Sequence, residues 1–259
     1  MEYFVLNFQK FMLVFSRIMG LILTAPFFSS GTISTRLKLA FIFFITIVIF
    51  PLVFSYIPDI PSNMVEYGLV AVMEGLIGVV IGFCLTISFS AYQLAGQFFT
   101  IQMGFGASEV FDPMSQISIP LMGQYLYLIA ILIFISLHGP VFIIREIYSS
   151  FELVNASNFI REAIINPSYG IIAFFRNMFF VALRMSFPII GTLLLVSITM
   201  GLLAKAAPQM NLLMIGFPIS ITVGFIILIL LLPGLIIFFN DYIEQVFSNI
   251  WFLMLEFKK

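Results

Sequence analysis

Residues 75–108 read GLIGVVIGFCLTISFSAYQLAGQFFTIQMGFGAS, a stretch without one charged side chain. A helix crosses the hydrocarbon core of a bilayer with about 20 mostly apolar residues, each rising about 1.5 Å. The run is therefore longer than one span requires. Its two halves also differ, because residues 93–108 mix glutamine and glycine with aromatics. The expectation is a membrane helix beginning near Gly68, followed by a long, unusual loop over 93–120.

The rest of the chain supports the membrane reading. Of its 259 residues 62% are hydrophobic and 9% charged, with a mean hydropathy of +1.17, against about 25% charge in soluble domains. A water-facing surface cannot be covered with so few charges. Eleven basic and twelve acidic residues leave a net charge of -1, so there is no electrostatic footprint for nucleic acid or an acidic substrate. The single cysteine, Cys84, lies in an apolar run, which leaves no disulfide framework and no cysteine-based metal cluster; it reads as a small packing residue. The N-terminus, MEYFVLNFQK, carries Glu2 ahead of Lys10 and no clean small-residue cleavage site, so an uncleaved first membrane segment is expected.

Six hydrophobic segments emerge, at about 11–28, 39–57, 68 onward, 121–144, 171–204 and 211–239. Arg17 interrupts the first and Pro26 closes it. Pro51 stands near the end of the second, Pro188 inside the fifth, and Pro218 and Pro233 inside the sixth. The connections are short except 93–120 and 145–170, and long loops in compact proteins are usually functional or mobile. Ala71 and Gly75, and then Gly78 and Gly82, have the small-xxx-small spacing that lets a second backbone approach closely. These residues mark a helix-packing surface, within the chain or toward another protein. The predicted fold class is all-α, a polytopic membrane protein of about six kinked helices arranged as hairpins.

Orientation does not follow simply. Lysine and arginine near span ends favour the cytoplasm, but one basic cluster, Arg36 and Lys38 in SSGTISTRLK, is three crossings from another, Arg145 and Arg161 with Arg176 beyond. In a six-span serpentine those clusters lie on opposite sides. Either one is external, or the apolar segments do not all cross a bilayer in the ordinary way.

The chemistry of hydrolysis is missing. The one histidine, His138 in ISLHGPV, stands at a helix end, without HExxH, GxSxG or a carboxylate cluster around it. There is no phosphate-binding G-x-x-x-x-G-K-[ST] loop. No cofactor or metal is implied. An ion- or proton-coupled small-solute transporter is the alternative, because such proteins use rare ionisable groups near broken helices. Its candidates are Glu74, Arg176 and Arg184; the two arginines share one face before Pro188, and snorkelling or structural contact is the ordinary reading of them.

The stretch 96–120, GQFFTIQMGFGASEVFDPMSQISIP, is too polar and glycine-rich for a lipid-facing helix. Irregular backbone at membrane depth is tolerated only in protein or against a water-filled cavity. With Gly104 and Gly106 relaxing the backbone and Phe105, Val110, Phe111 and Met114 supplying bulk, the segment suits an obstruction that moves aside. An ordinary surface loop accounts for the composition as well.

Two motifs carry a resemblance. GQFFTIQMGFGASEVFDPMSQ at 96–116 and LLAKAAPQMNLLMIGFPISI at 202–221 resemble the two signature elements of the FliR family of flagellar export proteins, whose virulence counterparts are the T subunits of injectisomes. Their order, their spacing and the six segments extend the resemblance over essentially the whole chain. It implies a non-enzymatic component of an export gate in the bacterial inner membrane, at the flagellar basal body and its ring. The protein would join P and Q subunits of related fold in a hetero-oligomer, contacted by the B-type switch component above a ring of A-type subunits. The cargo would be unfolded rod, hook and filament proteins.

By the same resemblance, loop 102–120 holds the plug, carried by Gly104, Phe105, Gly106, Ala107, Ser108, Glu109, Val110, Phe111, Asp112 and Pro113. Met103 and Met114 would pack against a methionine gasket. The turn with Lys205, Pro208, Gln209 and Asn211 would face the cytoplasmic entrance and a partner, although Lys205 also suits a helix C-terminal cap. Residues 1–165 would form a P-like portion and 172–259 a Q-like hairpin, joined near INPSYGII at 165–172.

Overall fold

The computed structural model describes residues 2–29, 33–105, 121–156, 159, 169–209 and 212–257. Among them there are eight α-helices and no strand: α1 (Glu2–Thr24), α2 (Pro26–Ser29), α3 (Thr35–Val53, then a 3-10 turn Phe54–Tyr56), α4 (Met64–Met103), α5 (Leu121–Ser136), α6 (Gly139–Leu153), α7 (Tyr169–Ala206) and α8 (Leu212–Glu256). Five of these helices are long and apolar enough to span a membrane, and α5 with α6 makes six if the broken pair counts as one span. The chain is an all-α polytopic membrane protein.

It divides into two compact units. The first comprises 1–88, 134–175 and 243–259, the second 89–133 and 176–242. In the first, α1 lies between α3 and the N-terminal half of α4. Lys10 lies over the Phe54 ring just past α3, Phe11 meets Phe43 and Phe50 edge-on, and Phe28 of α2, which continues from α1, stacks on Phe41, so positions rise from α1 into α2 as they fall along α3 and the packing is antiparallel. Against α4 the order is the opposite. The Tyr67 hydroxyl donates to the Gln9 carbonyl at 3.0 Å, the Ser16 hydroxyl to Ala71 at 2.6 Å, and the Thr86 hydroxyl to Thr24 at 2.5 Å. Both numbers rise together, and α1 and α4 run parallel.

Small residues make this crossing possible. A Cβ on Gly78 would overlap the Arg17 carbonyl oxygen, one on Gly20 the Gly75 carbonyl oxygen, and one on Gly82 the Thr24 hydroxyl. At Gly75 the added carbon would stand 3.0 Å from Ser16 Oγ. The backbones touch directly, as small-residue seams in lipid allow.

In the second unit α7 turns Met178, Val181, Ala182, Met185, Ile189 and Leu193 inward, at the spacing of one helical face. The opposite face, with Phe179, Phe180, Leu183, Phe187, Leu194 and Ile198, is exposed and just as apolar. Only 11% of the most apolar window of α7, and the same share in α8, is buried. A helix apolar all round belongs in lipid or against another protein.

Several segment boundaries differ from expectation. Residues 93–103 are helical rather than loop, because glutamines and a single glycine do not break a helix. Gly96 serves a close approach, since a Cβ there would overlap the Gly123 backbone of α5. The fourth segment does not run unbroken to 144. It stops at Ser136 and restarts at Gly139, where Pro140 can neither donate to the preceding turn nor avoid its carbonyl; His138 adopts the left-handed φ of 58° between them. The loop expected over 145–170 begins later, because α6 continues to Leu153 with Glu146, Ser149 and Ser150 turned inward. Likewise α8 outlasts its uncharged stretch, running to Glu256 on a buried stripe of Ile243, Val246, Ile250 and Leu253.

Candidate functional site

The glycine-rich segment leaves the end of α4 through a defined cap. The Gly104 amide donates to the Ile101 carbonyl at 3.1 Å and the Phe105 amide to the Thr100 carbonyl at 3.3 Å, with Gly104 at φ 90°. This crossed pair, with glycine in the left-handed region, is the Schellman termination of a helix, which satisfies carbonyls that would otherwise lack donors.

The three residues around the cap dock on α8. Met103 is fully buried, and its side chain lies so close over Gly224 that a Cβ there would stand 2.8 Å from Cε and 2.9 Å from Cγ. The Gly104 backbone lies against the Phe217 ring, whose Cε1 would be 2.9 Å from an added Cβ. Phe105 meets Phe225 edge-on at 6.4 Å between centroids. Met103, Gly104 and Phe105 of the sequence-predicted set thus form one anchored group. Gly106, Ala107, Ser108, Glu109, Val110, Phe111, Asp112, Pro113 and Met114 lie outside the described residues.

At the far end of α7, Lys205 is exposed in the last turn, where a cation complements the helix dipole. The Ala207 amide donates to Leu203 at 2.8 Å, and Pro208 and Gln209 are exposed in the turn that follows. Asn211 lies outside the described residues. Gly75, Gly78 and Gly82 belong to the crossing of α1 and α4.

A second constellation was not paired by sequence reasoning. Arg17, 2% exposed, and Glu74, fully buried, form an ion pair at 2.5 Å from Nε to Oε2. Arg17 Nη1 donates to the Ser150 carbonyl at 2.6 Å and Nη2 to the Val154 carbonyl at 3.0 Å, while the guanidinium lies 3.9 Å from the Phe151 ring centroid. The accepting carbonyls belong to the last turn and C-cap of α6, the end of a helix that attracts a cation. One side chain thus ties α1, α4 and α6 together. The signal existed: two charges of opposite sign interrupt the first and third apolar segments, and a charge in such a segment requires a partner.

The other ionisable candidates have simpler surroundings. Arg184 is exposed on α7 with its guanidinium 5.2 Å from the Phe238 ring centroid. Arg176 is exposed near the start of the same helix, and His138 is exposed at the break between α5 and α6. Among the described residues no group of three or more histidine, cysteine or acidic side chains is arranged to hold a metal.

Comparison with known proteins bears on the whole chain. The family model for bacterial export proteins, family 1, matches residues 8–246. The flagellar biosynthetic protein FliR of Bacillus subtilis is 34% identical over 86% of this chain and 85% of its own length. The proteins of the same name from Pectobacterium carotovorum and Escherichia coli are 30% and 28% identical, over 96% and 93% of this chain and 92% and 89% of theirs. Similarity sustained over nearly the full length reflects one fold and one ancestry, and the chain belongs to family 1 of the bacterial export proteins, the FliR family.

Proposed function

We propose that the protein is a non-enzymatic core subunit of the flagellar export gate. It forms part of the channel that carries unfolded rod, hook and filament proteins across the inner membrane, with residues 104–113 sealing the closed pore. Its partners are the P and Q gate subunits, the B-type switch component, the ring of A-type subunits and the basal-body ring. Residues 1–165 act as the P-like portion and 172–259 as the Q-like hairpin. The broad exposed apolar faces of α7 and α8 support assembly, since a member of a hetero-oligomer leaves surfaces for its neighbours to cover.

The single observation that carries the plug is the anchoring of Met103, Gly104 and Phe105 on α8 at the point where the glycine-rich segment starts. A plug needs one fixed end, so that it closes on the same place each time. Glu109 and Asp112 would orient the remainder by polar contacts that break on opening. The alternative of an ion-coupled carrier loses its carboxylate, because Glu74 is already committed to Arg17.

The test is deletion of residues 104–113 in cells that assemble the gate. Ion leakage through the membrane should rise, and unchanged leakage removes the plug from this segment. Substrate-dependent uptake by the purified chain alone in liposomes would instead establish the carrier.

A further inference from the structure

In the first unit a cleft of about 420 Å³ opens where the 3-10 turn after α3, the N-terminal part of α4 and the end of α6 meet. Ser55, Tyr56, Asp59 and Asn155 give it polar groups, and Ile57 and Val70 apolar ones. Its size falls among small-molecule pockets, about 300–1,000 Å³. Tyr56 is held in place by a hydrogen bond between its hydroxyl and that of Tyr148, whose ring it meets edge-on at 6.1 Å between centroids.

The charge at this cleft is negative. Asp59 stands in the wall, the Glu152 carboxylate acts on Tyr56, and among the described residues neither carboxylate pairs with a basic side chain. Lys10 lies over the Phe54 ring and forms no part of the wall. Two helices also end here, the 3-10 turn at Ile57 and α6 at Val154, and the carbonyls left over at helix ends attract cations. The end of α6 already holds one guanidinium, that of Arg17, but Glu74 answers that charge. A bare metal ion does not suit the cleft. Among the described residues no group of three or more histidine, cysteine or acidic side chains could hold one, and an occupant the size of a water fills only about 30 Å³. A carboxylate and a tyrosine beside aliphatic walls suit a cation on an apolar stem, since the head gains charged hydrogen bonds and an aromatic neighbour while the stem covers apolar surface.

We infer that the cleft binds an ammonium or guanidinium group carried on a short aliphatic stem, supplied by a free aliphatic diamine or by a basic side chain of a neighbouring protein. The cation pairs with the Asp59 carboxylate and donates its remaining N–H groups to the Ser55 hydroxyl and the Asn155 side-chain carbonyl, and the stem lies on Ile57 and Val70. None of the plug residues takes part, so failure of either proposal leaves the other standing.

Saturation-transfer NMR on the full chain, purified alone and with the export components that accompany it, tests this with cadaverine against its diol analogue. The chain alone should bind the diamine and not the diol, and high salt should weaken the binding. Asp59→Asn should weaken it about fivefold, the contribution of one partly exposed charge pair. Asp59→Glu should keep most of it, and Val70→Phe, which fills the cleft, should abolish it. Elution volume on size exclusion confirms that each variant is folded. Binding by both preparations assigns the cleft to a free diamine, whereas binding by the chain alone, lost in the assembly, assigns it to a neighbour's side chain. Equal binding of diamine and diol, binding by neither preparation, or an affinity unchanged in Asp59→Asn overturns the proposal. So does binding that appears only in Arg161→Gln, because the chain then fills the cleft with a cation of its own.

Discussion

Replacing Arg17 with methionine removes a side chain that joins α1, α4 and α6, and its cost follows from what is left behind. Glu74 stays fully buried with no counter-charge, and breaking one side of a buried ion pair costs about 3–5 kcal/mol. The carbonyls of Ser150 and Val154 lose charged donors, at about 1.5–3 kcal/mol each. The sum, about 6–11 kcal/mol, exceeds the lower end of a folded domain's entire stability, about 5–15 kcal/mol. Arg17→Met should therefore accumulate poorly in the membrane, and in mild detergent its midpoint for SDS-induced unfolding should fall sharply. The double variant Arg17→Met with Glu74→Met separates charge from packing. It substitutes apolar side chains for both ions, a change that is often neutral, so it should regain the part due to the unpaired charge, about 3–5 kcal/mol. A single variant within about 1 kcal/mol of wild type, or a double variant as unstable as the sum of its parts, refutes the argument that buried charge dominates this contact.

Gly78→Leu should prevent α1 from reaching α4, because its Cβ meets the Arg17 backbone oxygen rather than a movable side chain; overpacking costs typically about 1–3 kcal/mol. Gly191→Ala, in open space on α7, should gain up to about 1 kcal/mol in helix propensity, and membrane abundance of the two variants should diverge accordingly. Gly104→Ala places a side chain at φ 90°, which costs roughly 1–2 kcal/mol; hydrogen exchange at positions 104 and 105 should accelerate about tenfold, and unchanged protection would contradict the cap. His138→Gly should raise the unfolding midpoint, since φ 58° is strained for histidine and free for glycine, whereas His138→Val should lower it.

The membrane character, the all-helical class and the family were legible in the amino-acid order itself. Charge scarcity is a property of the whole chain, and a proline such as Pro188 or Pro140 acts on its own helix whatever surrounds it. The candidate plug was legible as composition, glycines and phenylalanines between two spans, and through the resemblance of its motif. The left-handed cap at Gly104 is made by local bonds to Ile101 and Thr100, but that Met103 lies over Gly224 depends on a residue about 120 positions downstream, and no local pattern encodes that distance.

Residues 75–108 announced a membrane helix by themselves, because a bilayer penalises every exposed charge and the run contains none. They did not announce where the helix would stop. Glutamines and one glycine let it run on through Gly96, and what only the packing decided is that Gly96 serves a close approach by Gly123 of another helix. Arg17 and Glu74 show the same division. Sequence alone determined that two charges interrupt apolar segments and must be neutralised, since lipid will not solvate them. Only the tertiary structure decided that they neutralise each other and that the end of α6 completes the pair, because that choice depends on which backbones the small residues of α1 and α4 allow to touch.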